Sequence, residues 1–273
     1  MSDPRAPFVA DVADSDSETT DDAFLDGALS ILQPRTGFRA GVDAVLLAAA
    51  VPQTIAAGIR VLDAGAGVGV AGLCLAHRLP EVHVTLVERA PELAELARCN
   101  VARNGLGRRV DVVETDLLAP PDHLDGLGLV AGRFGLLLAN PPWLTDGHGR
   151  ASTDPVKARA NAMPDGQLDG WLRFLVRIAA PDGLLIMLHR ADALDRVLAG
   201  LRGRFGGAEI LPVHPRPERL ANRILLRARE GSRAPLAILP SLSLHDERGY
   251  TPTVEAVLRR GAALPWPDRD HAG

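Results

Sequence analysis

The sequence predicts an α/β protein: a Rossmann-like, doubly wound, seven-stranded and mostly parallel sheet with an antiparallel strand at a C-terminal hairpin. Three observations carry this. From residue 59 onward, short β-branched runs alternate with longer stretches of helical periodicity, the pattern of strand-helix-strand units that pair in parallel. The last two apolar runs, Ala208 to Val213 and Arg223 to Arg229, follow one another with no helical stretch between them, so they form a hairpin and one strand reverses. The chain is 47% hydrophobic but only 4% aromatic, so Ala, Leu and Val fill the interior, which suits layered sheets and helices better than a sandwich or propeller.

In order, Ile59-Arg60-Val61-Leu62 is the first strand, running into the glycine cluster Gly65, Gly67 and Gly69, after which Val70 to Leu79 is a helix. Val82 to Val87 is the second strand, ending at Glu88. Pro91 opens the next helix, where its missing N–H costs nothing, and Asn104-Gly105 closes it. Val110 to Val113 and Phe134 to Ala139 are strands three and four, Gln167 to Ala180 a helix, and Leu184 to Leu188 strand five. Ala191 to Phe205 reads as a helix stopped by Gly206-Gly207. Residues 59–230 thus form the central domain, and residues 231–273, rich in Pro, Arg and Gly, a partly ordered appendage.

Residues 1–22 hold seven acids and one base, Arg5, with almost no apolar surface to offset ordering, and read as a disordered acidic tail. This start lacks the basic and apolar regions of a signal peptide. No apolar run is long enough to cross a membrane, the longest, Val42 to Val51, being interrupted by Asp43. Cys74 and Cys99 have neither metal-ligand nor redox spacing, so no metal is expected and both read as small apolar side chains of a cytoplasmic protein. A net charge of −4 speaks against a strongly basic nucleic-acid binder. That total misleads, because the tail alone carries −6 and the remainder about +2, nearly all its bases being arginine.

The glycine cluster lets the backbone turn tightly and approach a ligand where a helix N-terminus offers free N–H groups. Gly67 to Gly72 spells a G-x-G-x-x-G string with Glu88 some 20 residues later, as a dinucleotide site requires. Asp63, two residues before Gly65, suits a cationic ligand better than a pyrophosphate, which its carboxylate would repel. Glu88, at a strand tip, can accept both hydroxyls of an adenosine ribose whichever cofactor binds.

Asn140-Pro141-Pro142-Trp143 follows the apolar strand Leu136-Leu137-Leu138-Ala139 and decides between the readings. An amino group conjugated to a purine or carbonyl is a poor nucleophile because its lone pair is delocalised. The Asn140 side-chain oxygen and the Pro141 carbonyl can each accept one of its N–H bonds, favouring a pyramidal nitrogen whose lone pair points at a methyl donor. Stiff prolines fix that geometry. Trp143 can stack on a base, a contact worth roughly 1 to 3 kcal/mol. No metal, strong base or nucleophile is required.

With Asp63-Ala64-Gly65-Ala66-Gly67 and Asn140-Pro141-Pro142-Trp143 together, the chain resembles the S-adenosylmethionine-dependent amino-methyltransferases that modify adenine N6, guanine N2 or glutamine N5. Arg35-Thr36-Gly37-Phe38-Arg39-Ala40-Gly41-Val42-Asp43-Ala44-Val45-Leu46-Leu47 and, downstream, Leu244-His245-Asp246 with Gly249-Tyr250-Thr251-Pro252 are similar to the bacterial tRNA1(Val) adenine-37 N6-methyltransferase group. The resemblance spans about residues 24–265. It implies that Asp63, Gly65, Gly67, Glu88, Asp116 and Asn140 hold the cofactor, Asp116 lying against the adenine amino group. It also implies that Asn140 to Trp143 hold the target amine, and that residues 23–58, with Arg35 and Arg39, line or cover the pocket. The group usually carries Tyr or Phe where this chain has Trp143, a larger ring that could narrow the pocket. A tRNA substrate also needs a phosphate-binding surface, for which Arg150, Lys157 and Arg159 and the cluster Arg216, Arg219 and Arg223 are candidates. Alternatives within the same chemistry are a glutamine N5 protein methyltransferase, which would carry an added N-terminal helical domain, and an rRNA guanine N2 methyltransferase. From another class, an NAD-dependent oxidoreductase would leave Asn140-Pro141-Pro142-Trp143 without a purpose.

Overall fold

A computed structural model of the chain describes residues 18–37, 39–142 and 167–266. It opens with an antiparallel hairpin, β1 (Thr19–Phe24) and β2 (Leu29–Pro34), and then α1 (Val42–Ala49). The alternating part follows: β3 (Arg60–Ala64), α2 (Val70–Arg78), β4 (His83–Glu88), α3 (Pro91–Arg103), β5 (Val110–Glu114), α4 (Pro121–Gly126), β6 (Phe134–Ala139), α5 (Gln167–Ile178) and β7 (Ala179–Arg190). A 3-10 turn at Ala191–Ala193 leads into α6 (Leu194–Leu201), then β8 (Phe205–His214) and β9 (Arg223–Glu230). Short strands β10 (Ala237–Ile238), β11 (Leu242–Ser243), β12 (His245–Asp246) and β13 (Gly249–Tyr250) precede α7 (Pro252–Arg260).

The central sheet has the order β10-β8-β9-β7-β6-β3-β4-β5, with β11 also on β8. Strands β5, β4, β3, β6 and β7 are parallel, and β9 runs antiparallel to both β7 and β8. The seven strands read from sequence are β3 to β9; the two-residue strands β10 and β11 extend the edge beyond β8. Because β3 pairs with β4 on one side and β6 on the other, the chain changes winding direction there, and a crevice opens at the carboxyl ends of these strands. The register Ala64↔Ala139 puts the glycine cluster and Asn140 side by side at that crevice.

Strand alternation sorts β6 between two cores. Leu136 and Leu138 pack with α1, α2, α3 and α7, and Leu137 and Ala139 with α4, α5 and α6. Helix α1 is itself core, since Ala44 to Val51 are all buried. It is tied to the sheet by the Asp43–Arg223 ion pair at 2.6 Å and by Arg227, which donates to the Ala50 carbonyl at 2.6 and 2.9 Å. Part of the expected pocket cover is therefore structural scaffold.

Two sequence expectations are corrected. The acidic tail was expected to reach residue 22, but Asp21 and Asp22 lie in β1, where Arg103 pairs with Asp21 and Arg39 with Asp22. Partners distant in sequence let these acids order. The helix expected over 191–205 stops at Leu201, and Gly206-Gly207 sits inside β8 at an irregularity instead of ending a helix. A Cβ on Gly206 would lie 1.9 Å from the Ser232 carbonyl oxygen, so the backbone of the following segment comes too close for any other residue. In the appendage, the described residues 231–266 are tied to the rest of the chain: the Leu264 N–H donates to the Ala49 carbonyl at 2.8 Å, and Trp266 donates to Glu209 at 2.7 Å beneath the Arg227 guanidinium. Among the described residues no helix is long and apolar enough to cross a membrane.

Candidate active site

The loop after β3 holds Gly65, Gly67 and Gly69 at φ of 65°, 57° and 92°, left-handed conformations that favour glycine. It is built by hydrogen bonds from its neighbours: the Ala66 N–H donates to the Val87 carbonyl at 2.9 Å, and the Gly67 N–H to Glu88 Oε2 at 2.8 Å. The other Glu88 oxygen accepts from the N–H groups of Arg89 and Ala90 at 2.8 and 2.9 Å. Glu88 thus fixes the glycine loop against the tip of β4, a structural task the sequence did not suggest in addition to its expected place at a ribose.

Asp63 lies buried under the same loop, with Oδ2 accepting from the Gly72 N–H at 2.9 Å. Burial raises its pKa to about 7, opposed by the Gly72 hydrogen bond and reinforced by the neighbouring Glu88 carboxylate. A carboxyl group so placed gains from a cationic partner, and the glycines leave the backbone open to one. A Cβ on Gly72 would sit 2.3 Å from Leu86, so this glycine, the last of the dinucleotide-like string, serves close packing of α2 on β4.

Asp116 stands exposed after β5, where Oδ1 accepts from the Leu118 N–H at 2.8 Å. Asn140 follows β6 half-buried, with Pro141 buried behind it. The crevice therefore gathers Asp63, Gly65, Gly67, Glu88 and Asn140, with Asp116 one strand beyond β4. Arg39 is placed differently. It pairs with Asp22 at 2.6 Å and donates to Thr20 Oγ1 and the Pro34 carbonyl at 2.7 and 2.9 Å, so its guanidinium belongs to the β1–β2 hairpin. Trp143, Arg150, Lys157 and Arg159 lie outside the described residues. Of the second arginine cluster, Arg216 and Arg219 are exposed on the β8–β9 turn, at the same end of the sheet as Asn140, whereas Arg223 is held by Asp43.

Two residues were missed by sequence reasoning. Asn100 of α3, fully buried, accepts from the Leu32 N–H at 2.7 Å and donates to the carbonyls of Leu32 and Val68, each at 3.0 Å, tying the hairpin to the glycine loop. Nothing local distinguishes it from any helical Asn. Trp171 of α5 reaches the loop from the opposite face, with Cη2 2.4 Å from where a Cβ of Gly65 would be. Cys74 and Cys99 are free, and burial pushes the Cys74 thiol pKa up, so it stays protonated.

A glycine loop over a buried acid at the switch point, with Asn-Pro-Pro on the adjoining strand, defines an S-adenosylmethionine-dependent methyltransferase. The family described as the methyltransferase small domain matches residues 40–167. The tRNA1(Val) (adenine(37)-N6)-methyltransferase of Aeromonas hydrophila is 31% identical over 201 residues, covering 72% of this chain and 79% of that one. Its counterpart in Porphyromonas gingivalis is 28% identical over 237 residues, 84% and 90% of the two chains. A release factor glutamine methyltransferase of Moorella thermoacetica is 33% identical but spans 67% of this chain and 63% of its own. Among solved structures, an Agrobacterium tumefaciens protein described as a predicted O-methyltransferase superposes with a TM-score of 0.68 at 31% identity, covering 81% of this chain and 97% of that one. The chain belongs to the family of the tRNA1(Val) (adenine(37)-N6)-methyltransferases.

Proposed function

We propose that this enzyme methylates the exocyclic N6 of adenine in tRNA, at position 37 as its relatives' names state, in the cytoplasm. The observation that carries the reading is the register of β3 against β6, which sets Asn140-Pro141-Pro142 beside the glycine loop. S-adenosylmethionine, when bound, supplies an electrophilic methyl group on a sulfonium. The chain's own residues do the rest. Asp63 and the loop backbone hold and orient the cationic end, and Glu88 and Asp116 its ribose and adenine ends. Asn140 Oδ1 and the Pro141 carbonyl accept the two N–H bonds of the target amine and direct its lone pair. The N–C bond would form at the expense of the methyl–sulfur bond, whose electron pair stays on the departing thioether, and the surplus proton of the amine passes to solvent, since an N-methyl amine cation attached to a purine is a strong acid. Arg216 and Arg219, at this end of the sheet, are suited to RNA phosphates.

The coverage of the relatives supports a nucleic-acid substrate over a release factor: the match to the tRNA enzymes takes in 90% of the Porphyromonas protein, that to the glutamine enzyme 63%. Nucleoside mass spectrometry on tRNA incubated with the enzyme is the test. N6-methyladenosine should form, and Asn140→Ala should slow its formation roughly 10²- to 10³-fold, as expected for losing one of two preorganised partners of the reacting group. An Asn140→Ala enzyme of undiminished rate overturns the catalytic assignment; methylation of release-factor glutamine in place of tRNA overturns the substrate.

A further inference from the structure

We infer that Trp171 is a cofactor-positioning residue, an aromatic wall of the pocket where S-adenosylmethionine crosses from the glycine loop towards Asp116. This rests on the methyltransferase reading.

The contact at Gly65 is an edge contact. From the position a Cβ would occupy, Trp171 Cη2 is 2.4 Å away and Cζ2 and Cζ3 are 3.3 and 3.4 Å away, so the outer rim of the indole abuts the α-carbon of the loop's first glycine. The helix carrying it is seated closely on both sides. Gly170 lets Leu118, two residues after Asp116, approach to 2.9 Å from where its Cβ would be, and Gly200 of α6 admits Leu172 to 2.4 Å from the corresponding point. Trp171 is thus flanked by a contact to the turn after β5 and makes its own contact to the loop after β3, the two loops assigned to the ends of the cofactor.

Burial distinguishes Trp171 from its neighbours. Leu172, Leu175 and Ile178 of α5 are fully buried in the second core, whereas Trp171 only packs against its margin and stays half-exposed. A core position would favour an aliphatic residue of similar reach, because an indole left partly wet buries less of its apolar area. At a pocket margin the same ring offers a rigid face to a ribose and an electron-rich surface to a sulfonium, an attraction that Trp supplies better than other side chains.

The test is calorimetric titration of the full chain with S-adenosylmethionine and S-adenosylhomocysteine. Trp171→Leu should raise Kd for both at least tenfold, and more for the charged ligand; Trp171→Phe should raise them less than threefold. Leu172→Ala, which loosens the same helix from the core side, should lower Tm yet leave Kd within twofold at temperatures well below melting. Unchanged affinity in Trp171→Leu overturns the inference, and so does an equal loss in Leu172→Ala, which would make the effect one of helix packing. Should Trp171→Leu fail to fold, emission from Trp171 in a Trp143→Phe/Trp266→Phe background decides: a ligand-induced change supports the contact and its absence refutes it. Absence of binding by the unaltered protein would instead overturn the methyltransferase reading itself, a separate result.

Discussion

Replacing Asp63 by Asn isolates the cost of keeping a carboxyl group beneath the glycine loop. The variant's amide oxygen can still accept the Gly72 N–H bond, so packing is retained and only the titration is removed. Folding raises the Asp63 pKa from the ordinary value near 3.9 to about 7. Between those values the native state keeps a proton that the unfolded chain has lost, so the stability this group confers is full below about pH 4 and is lost as pH rises through 7. Integrated from pH 5 to pH 8, the wild-type protein loses roughly 2 to 3 kcal/mol that the variant does not lose. For a chain of this size that is a divergence in Tm of roughly 5 to 10 °C. Urea or thermal denaturation of both proteins at several pH values measures it directly. The variant should gain steadily on the wild type as the solution becomes more alkaline, while losing affinity for S-adenosylmethionine. Stability curves that stay parallel from pH 5 to 8 would refute the reasoning, since they would mean that Asp63 ionises in the native protein as readily as in water.

Two further outcomes test the packing around the loop and at the sheet edge. Gly72→Ala forces a methyl group into Leu86 at 2.3 Å and should destabilise the fold by roughly 1 to 3 kcal/mol, read as a lower urea midpoint. Trp266→Ala removes the ring 3.9 Å from the Arg227 guanidinium and the Glu209 hydrogen bond, and should cost about 1 to 3 kcal/mol with little change in cofactor affinity, read by thermal denaturation and calorimetry.

The alternating core was legible because its signals are local. Strand Phe134–Ala139 is a continuous apolar run closed by Asn-Pro-Pro, and helix α3 carries both of its boundary residues, Pro91 and Asn104, in sequence. The placement of the candidate acids and glycines was legible for the same reason, since each lies at or just beyond the tip of a strand. What failed was non-local. Asp21 and Asp22 read as disorder because their partners Arg103 and Arg39 are 82 and 17 residues away. Gly206 reads as a helix stop because Ser232, which demands it, is invisible to a window. Arg39 and Arg223 were read as ligand-facing cations when each has a protein carboxylate as partner, Asp22 and Asp43. Trp171 has no motif at all. Its place depends on two glycines, Gly170 and Gly200, of which one belongs to another helix.

Arg227 links segments of the chain that are synthesised at different times. Its guanidinium joins two parts of the chain distant in sequence, donating to the Ala50 carbonyl after α1 while lying against Trp266 after α7. During synthesis, α1 and most of the sheet emerge before Trp266 does, and the part of β8 and β9 that Trp266 covers is left unfinished until then. A chain cut after β9 would contain every residue of the proposed chemistry and still expose the side of Arg227 that the terminal segment covers. Arrival of the segment around Trp266, more than assembly of the active site, is then the event that closes this part of the fold.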